Sequence, residues 1–304
     1  MALEAQGRCE IAAKPASGEE SRKQEHPEIP KEEIMPDRRI KMGVAGATGR
    51  VGRHVVEVLR SKGYDVVPMS RSIGIDVISG TGLGKALEGV ECVIDATTGP
   101  SPEQAAATDF FLTATRNLQE FGKRAGVKRI VVVSIIGIDH FTSGQYGGYY
   151  TAKQAHEKAM LSGPIPARIL RAAQFHEFVD TLANWGRQGD VCYLPKMRTQ
   201  LVAARTVAEA LADLAVDPGS VSAAVPVPEI AGPKEENLAD AARRLMTRRG
   251  ESLKIDEVSD PADPAAALYA SGALLPSPHA KLAGPSFDEW LEATIPAKTR
   301  SRSA

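Results

Sequence analysis

Residues 40–52 read Ile-Lys-Met-Gly-Val-Ala-Gly-Ala-Thr-Gly-Arg-Val-Gly, and this stretch decides the fold. A short apolar run enters a glycine-rich turn, and an amphipathic helix follows with Val51, Val55, Val58 and Leu59 on one face. Backbone N–H groups in such a turn can approach a phosphate, and the helix N-terminus adds partial positive charge. The stretch therefore predicts a strand, a turn and a helix that together hold a pyrophosphate.

The glycines of this turn have separate expected roles. Gly46 can take the tight turn, Gly49 allows close approach of a ligand, and Gly52 lets helix and strand pack closely. Their G-x-x-G-x-x-G spacing differs from the common G-x-G-x-x-G fingerprint, so an ordinary strand-to-helix turn is the alternative. The flanking strand and helix favour nucleotide binding. The cofactor-binding candidates in the turn are Gly46, Ala47, Thr48, Gly49, Arg50, Val51 and Gly52.

Composition excludes several classes of protein. In 304 residues, 37 Lys and Arg balance 38 Asp and Glu, which gives no electrostatic reason to expect nucleic acid or an anionic membrane as a partner. The 3 cysteines show no metal or disulfide spacing. The longest apolar stretch, 130–138, is too short to span a bilayer, and no secretory signal is visible. We expect a cytoplasmic protein without metal. Residues 1–38, rich in charged residues and Pro, predict a disordered tail.

The second predicted strand indicates which dinucleotide binds. Residues 65–71 form that strand, about 20 residues after the turn, where an acidic residue selects NAD and an Arg accommodates the 2′-phosphate of NADP. Arg71 lies at the end of this strand, where no acidic residue stands, so NADP is favoured and NAD is possible; a solvated loop charge is the alternative. Residues 75–78 are a candidate third strand, and Asp76 within it is a further cofactor-binding candidate.

Strands and helices alternate through the first half of the chain. Strands at 92–96 and 130–134 flank a helix at 108–125, a pattern that predicts an α/β fold with a doubly wound parallel sheet. Ligands of such sheets bind beyond the carboxyl ends of the strands. We therefore expect one edge to collect Gly46, Arg71, Thr97, Thr98, Gly99 and Ser134, and Ala96, Thr97 and Thr98 are further cofactor-binding candidates.

The predicted helix at 149–160 carries the candidate chemistry. Tyr149 and Lys153 are four residues apart and share a helix face. A nearby ammonium lowers the pKa of a phenol, which can then exchange a proton with the oxygen of a carbonyl–alcohol pair while hydride moves at carbon. Tyr150 is also within reach of Lys153. A solvated helix pair is the alternative.

Together these stretches resemble the short-chain dehydrogenase/reductase superfamily, specifically its atypical NmrA-like, NAD(P)-binding branch. The resemblance covers roughly residues 40–295. The segments that carry it are 46–52, 86–96, 115–134, 149–153 and 168–178.

The resemblance implies a Rossmann-type domain at 39–171 and a smaller, interleaved substrate region at 172–304, with residues 200–216 returning to the Rossmann core. It places the superfamily's catalytic residues on Tyr149, Lys153 and Ser134. It also implies two functions: an NAD(P)-dependent oxidoreductase acting on a small carbonyl, alcohol or quinone, or a non-catalytic NADP(H)-binding redox sensor. A nucleotide-sugar epimerase or dehydratase ranks last, because the C-terminal region is short.

The C-terminal half carries weaker signals. Phe175 and His176 are substrate-pocket candidates, since such pockets are apolar with a few polar anchors; core packing is the alternative. His176 has no neighbours at metal-ligand spacing. Strands are expected at 191–194 and 200–203. Helices are expected at 206–216 with a Thr cap, at 237–249 before Gly250, and from Ser286. The sequence does not predict an oligomeric state.

Overall fold

The computed structural model of the chain describes residues 40–141, 148–217, 226–259, 262–263 and 265–296. The predicted disordered tail at 1–38 lies outside these residues. The strands are β1 (Lys41–Ala45), β2 (Asp65–Met69), β3 (Cys92–Asp95), β4 (Arg129–Ile135), β5 (Ala167–Ala172), β6 (Arg187–Gln188), β7 (Val191–Pro195), β8 (Arg198–Thr199), β9 (Glu229–Ala231), β10 (Glu236–Asn237), β11 (Lys254–Val258) and β12 (Lys281–Leu282). The helices are α1 (Gly52–Ser61), α2 (Leu83–Ala86), α3 (Gln104–Ala125), α4 (Gly148–Leu161), α5 (Val179–Trp185), α6 (Ala204–Val216), α7 (Leu238–Arg249), α8 (Ala266–Ser271) and α9 (Phe287–Thr294).

A parallel sheet of 7 strands organises the described chain, in the order β12-β9-β5-β4-β3-β1-β2. The β4 run Ile130-Val131-Val132 is fully buried, as expected for a central strand covered on both faces. From β1 the chain runs first to β2 on one side and then to β3 on the other. The crevice between β1 and β3 is therefore the switch point, where doubly wound sheets bind ligands.

Helices cover both faces of this sheet. On one face, α1 and α6 bury Val55, Leu59 and Leu211 against strand residues such as Val44. On the other face, α3 and α4 contribute residues such as Leu118 to a second cluster. The predicted α/β doubly wound fold is thus confirmed.

Residues after β5 also build a smaller unit of structure. Strands β6, β7 and β11 form one small sheet, and β8 pairs with β10. Helices α5, α7 and α9 pack over these strands around a third cluster that includes Leu194, Leu245 and Phe287. Helix α9 begins at a capping box in which Ser286 and Glu289 each bond the other's backbone N–H. Within the described ranges, no helix is long and apolar enough to cross a bilayer.

Three local predictions are wrong. Residues 75–78 form no strand, because the Asp76 carboxylate accepts a hydrogen bond from the Ile78 N–H at 2.9 Å and closes a turn. Residues 200–203 form only an isolated bridge, between Val202 and Phe175. Helix α6 begins at 204 without a side-chain cap, so the predicted Thr cap is absent there.

Candidate functional site

The glycine turn after β1 is tied to the end of β2. The N–H groups of Gly46 and Ala47 donate to the Met69 carbonyl at 3.0 and 3.2 Å. Gly46 has φ of +75°, and a Cβ there would lie 2.6 Å from the Ala96 carbonyl oxygen. Only glycine suits this position. The turn therefore lies directly over the crevice between β1 and β3.

Helix α1 presents an uncapped N-terminus at this turn. Val51 precedes the helix without a side-chain cap, and its first turn holds no acidic residue. The positive end of its dipole favours an anion, while the N–H groups of Arg53 and His54 already donate to the carbonyls of Gly49 and Val51. The predicted turn residues 46–52 are thus brought together around a position that fits a pyrophosphate.

Arg50 leaves this turn toward the C-terminal half of the chain. Its guanidinium donates to the Thr181 hydroxyl at 3.1 Å and lies 5.1 Å from the centre of the Phe178 ring. A guanidinium over an aromatic face is a favourable cation–π contact. Arg50 therefore links the glycine turn to α5.

The two candidates beyond β2 have different surroundings. Arg71 lies two residues after the end of β2 and is exposed, and no described carboxylate lies within ion-pair distance of it. Asp76 instead uses its carboxylate within its own turn, accepting from Ile78 N–H and from the Ser79 hydroxyl at 3.2 Å. Arg71 is thus available to an anionic ligand, whereas Asp76 has a local structural partner.

The end of β3 connects to helix α4. Asp95 is buried and accepts from the Thr97 N–H at 2.9 Å and from the Thr97 hydroxyl at 2.6 Å. The next residue, Thr98, shares a hydrogen bond of 3.0 Å with the hydroxyl of Tyr149. The predicted residues Thr97, Thr98 and Tyr149 therefore lie together at one strand end.

The Lys153 ammonium and the Tyr149 hydroxyl have different hydrogen-bond partners. Its ammonium donates to the Val133 carbonyl and to Nδ1 of His156, both at 2.9 Å, and lies 4.6 Å from the centre of the Phe111 ring. Burial raises the pKa of Tyr149, with the Thr98 hydrogen bond opposing it. The prediction that Lys153 lowers the pKa of the Tyr149 phenol is therefore wrong for this arrangement, because the ammonium is hydrogen-bonded to other groups.

Tyr150 lies in different surroundings from Tyr149. Its ring stacks on Phe141 with 4.2 Å between ring centres. Burial and the hydroxyl of Tyr269 raise its pKa well above the ordinary value. Tyr150 is therefore a packing residue between α4 and the C-terminal cluster.

Ser134 is next in the chain to the residue whose carbonyl accepts a hydrogen bond from Lys153. It follows Val133 on β4, is buried, and its hydroxyl has no hydrogen-bond partner among the described residues. Strand alternation places its side chain on the same face as Val132, the face covered by α3 and α4. An unpaired buried hydroxyl is unfavourable unless a ligand or water bonds it.

The pair Asp95 and His156 was not among the predicted site residues. Nε2 of His156 lies 3.1 Å from an Asp95 carboxylate oxygen, and the imidazole stacks on Phe111 at 4.6 Å. The sequence signal for this pair is Asp95, a carboxylate within the apolar run 92–96, because a buried charge requires a partner.

The two substrate-pocket candidates, Phe175 and His176, are adjacent in the chain but differ in solvent exposure. His176 is 1% exposed and packs against Phe287 and Trp290 of α9, so its side chain does not line an open pocket. Its Nε2 donates to the Pro285 carbonyl at 3.1 Å, and burial lowers its pKa to about 4. Phe175 is half-buried and retains partial access. Within the described chain, no group of three His, Cys, Asp or Glu side chains could hold a metal.

Known proteins share this fold. MoeE5 in complex with UDP-glucuronic acid and NAD is 17% identical over 85% of this chain and 94% of that chain, with a TM-score of 0.61. A short-chain dehydrogenase/reductase superfamily protein from Agrobacterium tumefaciens with bound NAD is 18% identical over 85% and 92%, with a TM-score of 0.55. The Bordetella bronchiseptica enzyme WbmH in complex with NAD⁺ is 15% identical over 74% and 87%, with a TM-score of 0.55.

A family model described as NAD(P)H-binding matches residues 46–218, more than half of the chain. Comparison with curated proteins gives no match. The matched region begins at the first glycine of the turn and continues through α6. The predicted NAD(P)-binding Rossmann-type fold is confirmed, and the chain belongs to the NAD(P)H-binding family.

Proposed function

We propose that this protein is an NADP(H)-preferring oxidoreductase that acts on a small carbonyl, alcohol or quinone. The observation that carries the proposal is the 3.0 Å hydrogen bond between Thr98 and Tyr149. It brings a phenol to the carboxyl end of β3, next to the crevice under the glycine turn. A proton-transfer group and a dinucleotide cradle thus share one edge of the sheet.

The residues at this edge suit an NADP molecule. The turn at 46–52 and the uncapped α1 would hold the pyrophosphate, and Arg71 would bind the 2′-phosphate. When bound, the nicotinamide supplies or accepts the hydride. A substrate region within 172–296, with Phe175 at its border, completes the proposed domain organisation.

Tyr149 would act as the acid. Because burial raises its pKa, the phenol is protonated at neutral pH and can donate a proton to a carbonyl oxygen. Ser134 would bond the same oxygen with its otherwise unpartnered hydroxyl. Lys153 would hold its ammonium beside the cofactor ribose. This arrangement favours reduction of the carbonyl over oxidation of the alcohol.

The test is oxidation of NADPH by a panel of quinones and aldehydes, followed through the absorbance of the reduced nicotinamide. Tyr149→Phe should lower kcat by about 100-fold or more, since general acid catalysis contributes on this scale, while NADPH affinity stays the same. Tyr150→Phe is the matched control, because it removes a neighbouring hydroxyl that faces Tyr269. Equal turnover by Tyr149→Phe and wild type would refute the role of Tyr149.

A non-catalytic NADP(H)-binding regulator is the second candidate. It is favoured by the engagement of the Lys153 ammonium with Val133 and His156 instead of Tyr149. Tight NADPH binding without turnover of any panel member would support it.

A separate assay should mix UDP-glucuronic acid with NAD⁺ or NADP⁺ and follow formation of the reduced nicotinamide, because the sugar alcohols can only donate hydride. MoeE5, whose structure contains that compound, is matched over 94% of its own chain by this one. A short C-terminal region is therefore no obstacle to a nucleotide sugar.

A further inference from the structure

Three buried side chains form a continuous hydrogen-bonded chain beneath the proposed site. The Asp95 carboxylate is 3.1 Å from Nε2 of His156, and Nδ1 of the same imidazole is 2.9 Å from the Lys153 ammonium. All three residues are at most 4% exposed. Asp95 comes from the end of β3, and Lys153 and His156 come from one turn of α4, so the fold itself brings them together.

The charges within this chain follow from the hydrogen bonds. Burial alone would raise the pKa of Asp95, but hydrogen bonds from His156 and Thr97 bring it below its ordinary value. Burial and the Lys153 charge lower the pKa of His156. The carboxylate is therefore ionised and the imidazole neutral. Its Nε2–H donates to Asp95, which leaves the Nδ1 lone pair to accept from Lys153.

We propose that Asp95 and His156 are positioning residues for Lys153. The Asp95 carboxylate selects the imidazole tautomer whose Nδ1 holds the ammonium at the end of β4, and its negative charge stabilises that ammonium in the protein interior. The inference rests on the proposed function only in taking Lys153 as part of the site.

Other groups around Lys153 are already paired or uncharged. Glu157, on the same helix, is bound at 2.8 Å by Arg171 of β5. Arg171 also bonds Asp139, from the turn that precedes α4. Helix α3 contributes the uncharged Phe111, and Tyr149 is bonded to Thr98. Asp95 is therefore the carboxylate that reaches Lys153 through an unbroken path of hydrogen bonds.

This arrangement makes Lys153 titrate in an accessible range. Burial lowers its pKa to about 8, while Asp95 and Glu157 oppose the change. Replacing Asp95 with Asn removes the negative charge. It also places an amide against Nε2–H, so the imidazole can shift to the tautomer that no longer accepts from Lys153. Both effects lower the pKa of Lys153 further, because less negative charge then stabilises the ammonium.

The direct experiment is NMR of the full chain labelled with ¹³C at lysine Cε, titrated with alkali in the absence of nucleotide. Lys153→Arg identifies the Lys153 resonance. We expect a wild-type midpoint of about 8 and a midpoint about one pH unit or more lower in Asp95→Asn. Glu157→Gln is the matched carboxylate control and should shift the midpoint less, since Arg171 already compensates Glu157. An unchanged midpoint in folded Asp95→Asn would overturn the proposal.

A second pair of variants tests His156. His156→Asn keeps an acceptor oxygen at the place of Nδ1 and should retain the wild-type Lys153 midpoint and the pH dependence of NADPH affinity. His156→Leu has similar volume but no acceptor. It should lower the midpoint of the Lys153 titration, and the midpoint of the pH dependence of NADPH affinity should fall with it. Identical behaviour of the two variants would refute a positioning role. The NMR result does not depend on turnover, so altered Lys153 titration without any NADPH oxidation would sustain this inference while defeating the proposed enzyme.

Discussion

Gly52 lies against the carbonyl of Gly46. A Cβ on Gly52 would be 2.1 Å from the Gly46 oxygen, a distance that no side chain can accept without movement of the backbone. The first residue of α1 is thus packed directly on the first residue of the turn. This contact sets the position of the helix N-terminus relative to the crevice, and with it the geometry available to a pyrophosphate.

Gly52→Ala should therefore destabilise the protein by about 2–3 kcal/mol, the usual cost of forcing extra volume into a packed site, and should abolish NADPH binding. Urea denaturation and a fluorescence titration measure the two effects. Gly84→Ala is the control, because its Cβ would meet Phe121 at 3.5 Å, an ordinary contact. Native NADPH affinity in Gly52→Ala would show that the turn does not hold the cofactor.

Arg71→Ala should weaken NADPH binding by about tenfold to a hundredfold, because a hydrogen-bonded charge pair with the 2′-phosphate contributes about 1.5–3 kcal/mol. NADH affinity should stay unchanged, since NADH lacks that phosphate. Arg60→Ala removes the same charge from the far end of α1 and serves as the control. Equal losses for both nucleotides would contradict the assigned role of Arg71.

His176 should make stability depend on pH. Its pKa is lowered to about 4 in the folded protein, so the unfolded state takes up a proton first as the pH falls below about 6.5. The neutral, buried imidazole therefore stabilises the folded state above about pH 6.5. This contribution to the free energy of unfolding, about 3 kcal/mol, is lost progressively as the pH falls to about 4.

His176→Gln should lose less stability than wild type over that interval, measured by urea denaturation at successive pH values. His279, an exposed histidine, is the comparison site. Parallel curves for wild type and His176→Gln would contradict the burial argument.

The sequence predicts features that depend on local signals. The glycine turn, the central β-branched strand, and α7 between Asn237 and Gly250 each follow from patterns within a few residues. Predictions failed where a side chain changed the local preference, as Asp76 does by closing a turn within a β-branched run. Propensity alone does not show such a contact.

The candidate site was predictable only in part. The strand-end rule predicts Thr97 and Thr98 at the ligand edge, and the structure adds Tyr149 of α4, which is hydrogen-bonded to Thr98. The link from His156 to Asp95 was not predictable, because these two residues are 61 positions apart in the chain and meet only through the strand order. The sequence around His176 fits a core residue and a pocket residue alike, and the packing of α9 against its ring makes it a core residue.

The most direct test is a fluorescence titration of the full chain with NADPH and with NADH. We expect saturable binding of NADPH, with an affinity higher than that for NADH because of Arg71. Binding of neither nucleotide would contradict the proposal that the turn at 46–52 and the adjoining strand ends form a dinucleotide site.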